Sequence, residues 1–165
     1  MKMTKERLRI AQEVALRLLE CGAVRIQVDQ PFTWTSGWKS PIYCDNRLTL
    51  SFPEMRDFLK NALVQLVRTT FPAVEAVAGV ATAGIPQGVL LADMLRLPFL
   101  YVRSSPKGHG LENLIEGKTK EGAKIVLVED LISTGGSSLK AALALREAGY
   151  RVEGLVAMFT YGFEV

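Results

Sequence analysis

The sequence is poor in several features that would place it in other classes. It has two cysteines, Cys21 and Cys44, in no metal-ligand cluster, and a chain of 165 residues buries enough core to need no disulfide. A reducing cytoplasm is the expected setting. Charge of neither sign dominates: 20 basic and 17 acidic residues leave a net +3, too mild to indicate nucleic acid, though it leaves room for a local basic site. No apolar run approaches the length of a membrane span. The start, Met1 to Arg7, leads into an amphipathic helix and does not read as a signal peptide, so a soluble intracellular protein without membrane association is expected. No linker, repeat or low-complexity stretch divides the chain, which reads as one domain over 1–165. Two familiar phosphate motifs are also missing. No Gly-Lys-Ser/Thr follows a P-loop spacing, and G-x-G-x-x-G does not occur.

What is present alternates between helical and strand periodicity. Leu8, Ile10, Ala11, Val14, Ala15, Leu18 and Leu19 form one broad helical face that stops at Gly22. Short strands are predicted at 24–29, 32–35 and 42–45. Ser51 and Glu54 have the spacing of a capping box, opening a helix that runs to about 69. A buried strand at 76–81, a helix at 84–95 and a strand at 99–103 follow. Residues 105–121 are rich in glycine and charge and read as a long mobile loop, which in a compact domain is usually functional. A last strand is expected at 151–161. Strand–helix–strand repetition of this kind implies an α/β fold with a doubly wound parallel sheet.

The most informative stretch is Lys124-Ile-Val-Leu-Val-Glu-Asp-Leu-Ile-Ser-Thr-Gly-Gly-Ser-Ser138. Ile125 to Val128 is a branched apolar run suited to a buried parallel strand. Glu129 and Asp130 then stand at its carboxyl end, before a hydroxyl- and glycine-rich turn and a helix expected over 139–148, with Gly149 as its stop. A helix start offers free N–H groups and partial positive charge to a phosphate. Thr134, Ser137 and Ser138 can add hydroxyl donors, while Gly135 and Gly136 let the backbone come close. An acidic pair beside a phosphate cradle describes a site for a sugar phosphate. A capped strand–turn–helix with no ligand would use many of the same residue types, but not the paired acids.

This segment resembles the phosphoribosyl pyrophosphate signature of the type I phosphoribosyltransferases. Three further segments resemble the orotate branch of that family, in family order over 32–160. Ser36-Gly37-Trp38-Lys39-Ser40-Pro41 is similar to the turn of an amino-terminal hood, contributed here by about 1–50. Thr82, Ala83 and Gly84, between a strand and a helix, match the turn that receives pyrophosphate. Arg103, Lys107 and His109, the only histidine, lie on a segment similar to the mobile catalytic loop.

The resemblance implies a type I phosphoribosyltransferase fold: a central, mostly parallel sheet flanked by helices, with a small hood. It implies transfer of phosphoribosyl from phosphoribosyl pyrophosphate to orotate, giving orotidine 5'-monophosphate and pyrophosphate in pyrimidine biosynthesis, with Mg²⁺ as cofactor. Glu129 and Asp130 would hold the ribose hydroxyls and take part in Mg²⁺ binding through the substrate. Ser133, Thr134, Gly135, Gly136 and Ser137 would hold the 5-phosphate, and Ser36, Gly37 and Lys39 the base. Lys107, Arg103 and His109, with Asp130, would be the catalytic set. A homodimer with the loop shared across subunits is the family's common assembly.

The chain departs from the pattern where Thr35, Ala83 and Ser104 stand in place of lysines, and where Phe159-Thr160-Tyr161 replaces an Asp-Arg ending. The family usually continues with a further strand and helix, so a truncated carboxyl end at Val165 is expected. Two rival readings share the donor: a transferase for a purine or another base, and a non-catalytic regulator that only binds phosphoribosyl pyrophosphate. The hood turn and the Lys107-Gly-His-Gly110 run speak against the first, and the lack of a helix-turn-helix or strongly basic face against the second.

Overall fold

The computed structural model describes residues 4–34, 37–105 and 114–163. The chain divides into two compact units, 1–59 and 60–165. Among the described residues no helix is long and apolar enough to cross a membrane.

The first unit opens with α1 (Lys5–Glu20), capped by the Thr4 hydroxyl, which accepts from the Arg7 N–H at 3.3 Å. Its apolar face is broader than the surface it meets. Leu18 is fully buried and Ile10 and Val14 are half-buried, but Leu8 and Leu19 remain 42% and 43% exposed and Ala11 and Ala15 are exposed as well. Four short strands follow: β1 (Val24–Ile26), β2 (Phe32–Thr33), β3 (Lys39–Ser40) and β4 (Ile42–Cys44). They form two antiparallel pairs, β1 with β4 and β2 with β3. The rings of Phe32 and Tyr43 lie 5.4 Å apart, and the Arg25 guanidinium sits over both. A 3₁₀ turn (Asn46–Ser51) then leads into α2 (Pro53–Thr70), which runs on into the second unit. Ser51 is therefore the end of that turn and not a helix cap. The helix opens two residues later on Pro53, whose fixed φ and missing N–H suit the first helical position.

The second unit is a sheet of five strands in the order β7-β6-β5-β8-β9. These are β5 (Ala76–Val80), β6 (Phe99–Val102), β7 (Ile115–Glu116), β8 (Lys124–Ile132) and β9 (Arg151–Thr160). The pairings β6–β5, β5–β8 and β8–β9 are parallel, and β7 runs antiparallel to β6 at one edge. The stretch read as one long loop over 105–121 thus contains a two-residue strand. It is too short to give a periodicity and is held by its pairing with β6. The sheet buries both faces. Ala76, Ala78, Val80, Ile125 and Leu127 meet α4 (Gly136–Glu147) on one side. Val77, Val126, Val128 and Val156 meet α3 (Gly84–Leu95) and the later part of α2 on the other. This is the doubly wound arrangement expected from the alternation of apolar runs.

In chain order, β5 is followed by β6 on one side and the next parallel strands, β8 and β9, lie on the other. The order reverses between β5 and β8, and a crevice for ligand opens at the carboxyl ends of strands where that happens. The crevice floor is drawn tight by glycine. A side chain on Gly79 would stand 2.9 Å from the Gly84 carbonyl oxygen and 3.1 Å from the Ile85 Cα. A methyl on Gly84 would overlap the Val128 carbonyl oxygen. Neither neighbour is a movable side-chain tip, so Gly79→Ala should cost about 1–3 kcal/mol, read as a lower urea midpoint. Gly136→Ala, with open space around its added methyl, should leave the midpoint unchanged or slightly raised. Equal midpoints for the two variants would contradict this close approach of α3 to the sheet.

Candidate active site

Two helices begin in the crevice, one after each central strand, and neither start is closed by its own side chains. Thr82, Ala83 and Gly84 join β5 to α3, where Ala83 is the cap residue and supplies no side-chain hydrogen bond. The Ala81–Thr82 peptide is cis. Ser133, Thr134 and Gly135 join β8 to α4, where Gly135 is the cap residue, again without a side-chain bond. Its φ of +79° lies in the left-handed region, which explains glycine at that position. Helix α4 begins at Gly136, three residues before the expected start. Gly136, Ser137 and Ser138 are therefore its first turn, with their N–H groups at the open end of the helix. Ser133, Thr134, Gly136 and Ser137 are exposed around this turn, and Thr82 is exposed at the other. The lining is a backbone cradle for anions at both ends.

The acidic pair lies between these turns, inside β8 and not beyond it. The strand continues through Ile132 because β9 keeps pairing with it: Glu129 faces Ala157, Leu131 faces Phe159 and Ile132 faces Thr160. Period-two alternation sends Ile125, Leu127 and Glu129 to the α4 side of the sheet. Glu129 is only 5% exposed. Its Oε1 accepts the Asp130 backbone N–H at 3.1 Å, and its Oε2 lies 3.5 Å from the hydroxyls of Ser137 and Ser138. The first turn of α4 is thus tied back to the strand through Glu129, and the hydroxyl of the buried Ser138 is turned inward. Burial, followed by the hydrogen bond with the Asp130 carboxyl, pushes the Glu129 acid up to about 7, while the Asp130 N–H and the Ser138 hydroxyl act in the opposite direction. Asp130 is half-exposed at the crevice.

Arg103 follows the end of β6. Its N–H donates to the Leu114 carbonyl at 2.8 Å, and its Nη1 lies 3.5 Å from Glu116 Oε1 on β7. Glu116 did not stand out in the sequence; the only sign was a carboxylate just before Gly117 at the end of a glycine-rich loop. Lys107 and His109 lie outside the described residues, as does Ser36. In the first unit, Gly37 takes a left-handed φ of +84° in a turn closed by Trp34 and Trp38, and Lys39 is exposed on β3. Among the described residues no three His, Cys, Asp or Glu side chains form a metal cage. Two acids suit Mg²⁺, which commonly takes one or two carboxylates and completes its shell with substrate phosphates and water.

Residues 50–160 match the family described as phosphoribosyl transferase domain. The chain is 62% identical over 154 residues to the orotate phosphoribosyltransferase of Cytophaga hutchinsonii, covering 93% of this chain and 74% of that protein. It is 61% identical over 151 residues to the orotate phosphoribosyltransferase of Bacteroides fragilis, covering 92% and 71%. Among solved structures, the orotate phosphoribosyltransferase of Aeropyrum pernix superposes with a TM-score of 0.76 at 32% identity, covering 90% of this chain and 93% of that one.

Glu129 supplies a pH test of the geometry. Its folded-state acid holds its proton to about 7, against an ordinary value of 4.5. Between those values the native state binds more protons than the unfolded one, so its contribution to stability falls as pH climbs through the window and is flat above it. Glu129→Gln cannot ionise. Its melting temperature relative to wild type should rise from pH 4.5 to about 7 and then level off. A difference independent of pH would show that the Glu129 carboxyl is not held in its buried, proton-sharing position.

Proposed function

The chain belongs to the orotate phosphoribosyltransferases, and we propose that it carries out their transfer at the β5–β8 crevice, with Mg²⁺, as a cytoplasmic homodimer. The observation behind this assignment is the pair of uncapped helix starts flanking Glu129 and Asp130. A donor with a phosphate at one end, ribose hydroxyls in the middle and a diphosphate at the other matches that order of groups. The α4 turn, Ser133 to Ser137, takes the 5-phosphate. Asp130, at the exposed side of the pair, takes the ribose hydroxyls, and the turn at Thr82, Ala83 and Gly84 takes the diphosphate.

In the transfer, N1 of orotate gives up its proton to solvent and bonds to the anomeric carbon as the bond from that carbon to the diphosphate oxygen breaks, with the electron pair leaving on pyrophosphate. Positive charge builds on the ribose ring, and the nearby carboxylate offsets it. Holding the remote 5-phosphate fixes the reacting carbon, so binding energy far from the bond change helps to orient it. Arg103, Lys107 and His109 neutralise the departing pyrophosphate. Orotate is an anion with an acidic N1, so no strong base is assigned. Asp130, with Glu129 behind it, would be the protein's contribution to holding Mg²⁺, which would supply charge neutralisation for the donor. Ser36, Gly37 and Lys39 are assigned to the base by their likeness to the family's hood turn. A purine transferase would share the donor site, but the high identity to orotate enzymes across most of the chain favours orotate.

Lys107→Ala should lower kcat far more than it weakens donor binding, because its contact strengthens as pyrophosphate leaves. Unchanged kcat would remove Lys107 from the mechanism. Asp130→Asn should lower both donor affinity and kcat. Mixing the two variants tests the shared loop. If each site takes Lys107 from the partner, half of the randomly formed dimers carry one intact site, and about a quarter of wild-type activity should return. No recovery after verified subunit exchange would place the loop and the acids of one site on the same chain.

A further inference from the structure

Arg103 and Glu116 stand at the two ends of the segment between β6 and β7, and the backbone fixes how they face each other. Tyr101 pairs with Glu116 and Val102 with Ile115. Arg103, two residues beyond Tyr101, is therefore the diagonal neighbour of Glu116 on one face of the hairpin, a separation that long side chains span. The gap between Arg103 Nη1 and Glu116 Oε1 is 3.5 Å. The backbone at the next residue lies close against β6. Gly117 has a φ of +93°, and a side chain there would stand 2.9 Å from the Phe99 carbonyl oxygen. The two side chains are 26% and 33% exposed, so an incoming anion has access to the guanidinium.

A carboxylate presents to arginine the same pair of oxygens as a phosphate, with less charge. We propose that Glu116 is the resting counter-ion of Arg103, surrendering the guanidinium to the donor's diphosphate and reclaiming it as pyrophosphate departs. This deepens the reading in which Arg103 is a diphosphate ligand, and rests on it. Because the pair is partly exposed, the exchange costs little and runs toward the more highly charged diphosphate. Its consequence is weaker retention of the product. Glu116 is a positioning residue here, acting through Arg103 and not touching the reacting atoms.

The test is calorimetric binding of magnesium pyrophosphate to four full-length proteins: wild type, Glu116→Gln, Arg103→Ala and the double variant. Glu116→Gln keeps the shape of the side chain and removes its charge. The expected result is binding tightened about three- to fivefold, matching the strength of a partly exposed ion pair, with no such gain when Arg103 is already alanine. An equal gain in both backgrounds would mean a general loss of negative charge and would overturn the proposal. No gain from Glu116→Gln, with a lower melting temperature, would make the pair only a strut of the hairpin. Unchanged pyrophosphate binding in Arg103→Ala would instead overturn the underlying role of Arg103.

Discussion

The candidate site turns on the starts of α3 and α4, where no side chain caps the backbone N–H groups. A helix start normally takes a serine, threonine or aspartate cap, which would occupy the groups that an anion needs. Here alanine and glycine stand at the two cap positions and supply no side-chain bond, although the Ile85 N–H of α3 donates to the Thr82 carbonyl at 3.2 Å. The parallel strands β5 and β8 bring the two starts to neighbouring places at one end of the sheet. Glycine at 79 and 84 lets α3 close onto the strands behind them. Two helix starts brought side by side without side-chain caps are thus a property of the sheet order and four small residues, before any charged side chain is counted.

The acidic pair divides its work by orientation. Strand alternation turns Glu129 into the layer beneath α4, where it ties Ser137 and Ser138 to β8 and where burial raises its acid to about 7. Asp130 faces the crevice. One acid therefore holds the first turn of α4 against β8, while the other is left half-exposed for the ligand role proposed for it. This division would also suit the proposed Mg²⁺, a cation that commonly takes one or two carboxylates.

Much of this was legible in the chain. The buried runs at 76–80 and 125–128 are unambiguous as parallel strands, and the helix at 84–95 has the bounds expected from its apolar spacing. The resemblance to the orotate branch, read from four short motifs, agrees with relatives covering nine-tenths of the chain. The misreadings have local causes. The carboxylates at 129 and 130 looked like the end of a strand, yet β9 continues to pair beyond them. The broad apolar face of the first helix was legible, but not that Leu8 and Leu19 on it stay exposed. Strand β7 is two residues long and exists through its pairing with β6, which no local pattern encodes. The inward turn of Glu129 was encoded in the alternation with Ile125 and Leu127, and a period-two count carried past the apolar run would have found it.

The most direct test of the central claim is the absorbance of orotate incubated with the purified chain, Mg²⁺ and phosphoribosyl pyrophosphate, beside reactions lacking either the donor or the metal. The account predicts loss of orotate absorbance only when donor and Mg²⁺ are both present, with protection of the first turn of α4 from hydrogen exchange on adding donor. The absence of both turnover and protection by the donor would contradict the assignment of the β5–β8 crevice as the site of transfer.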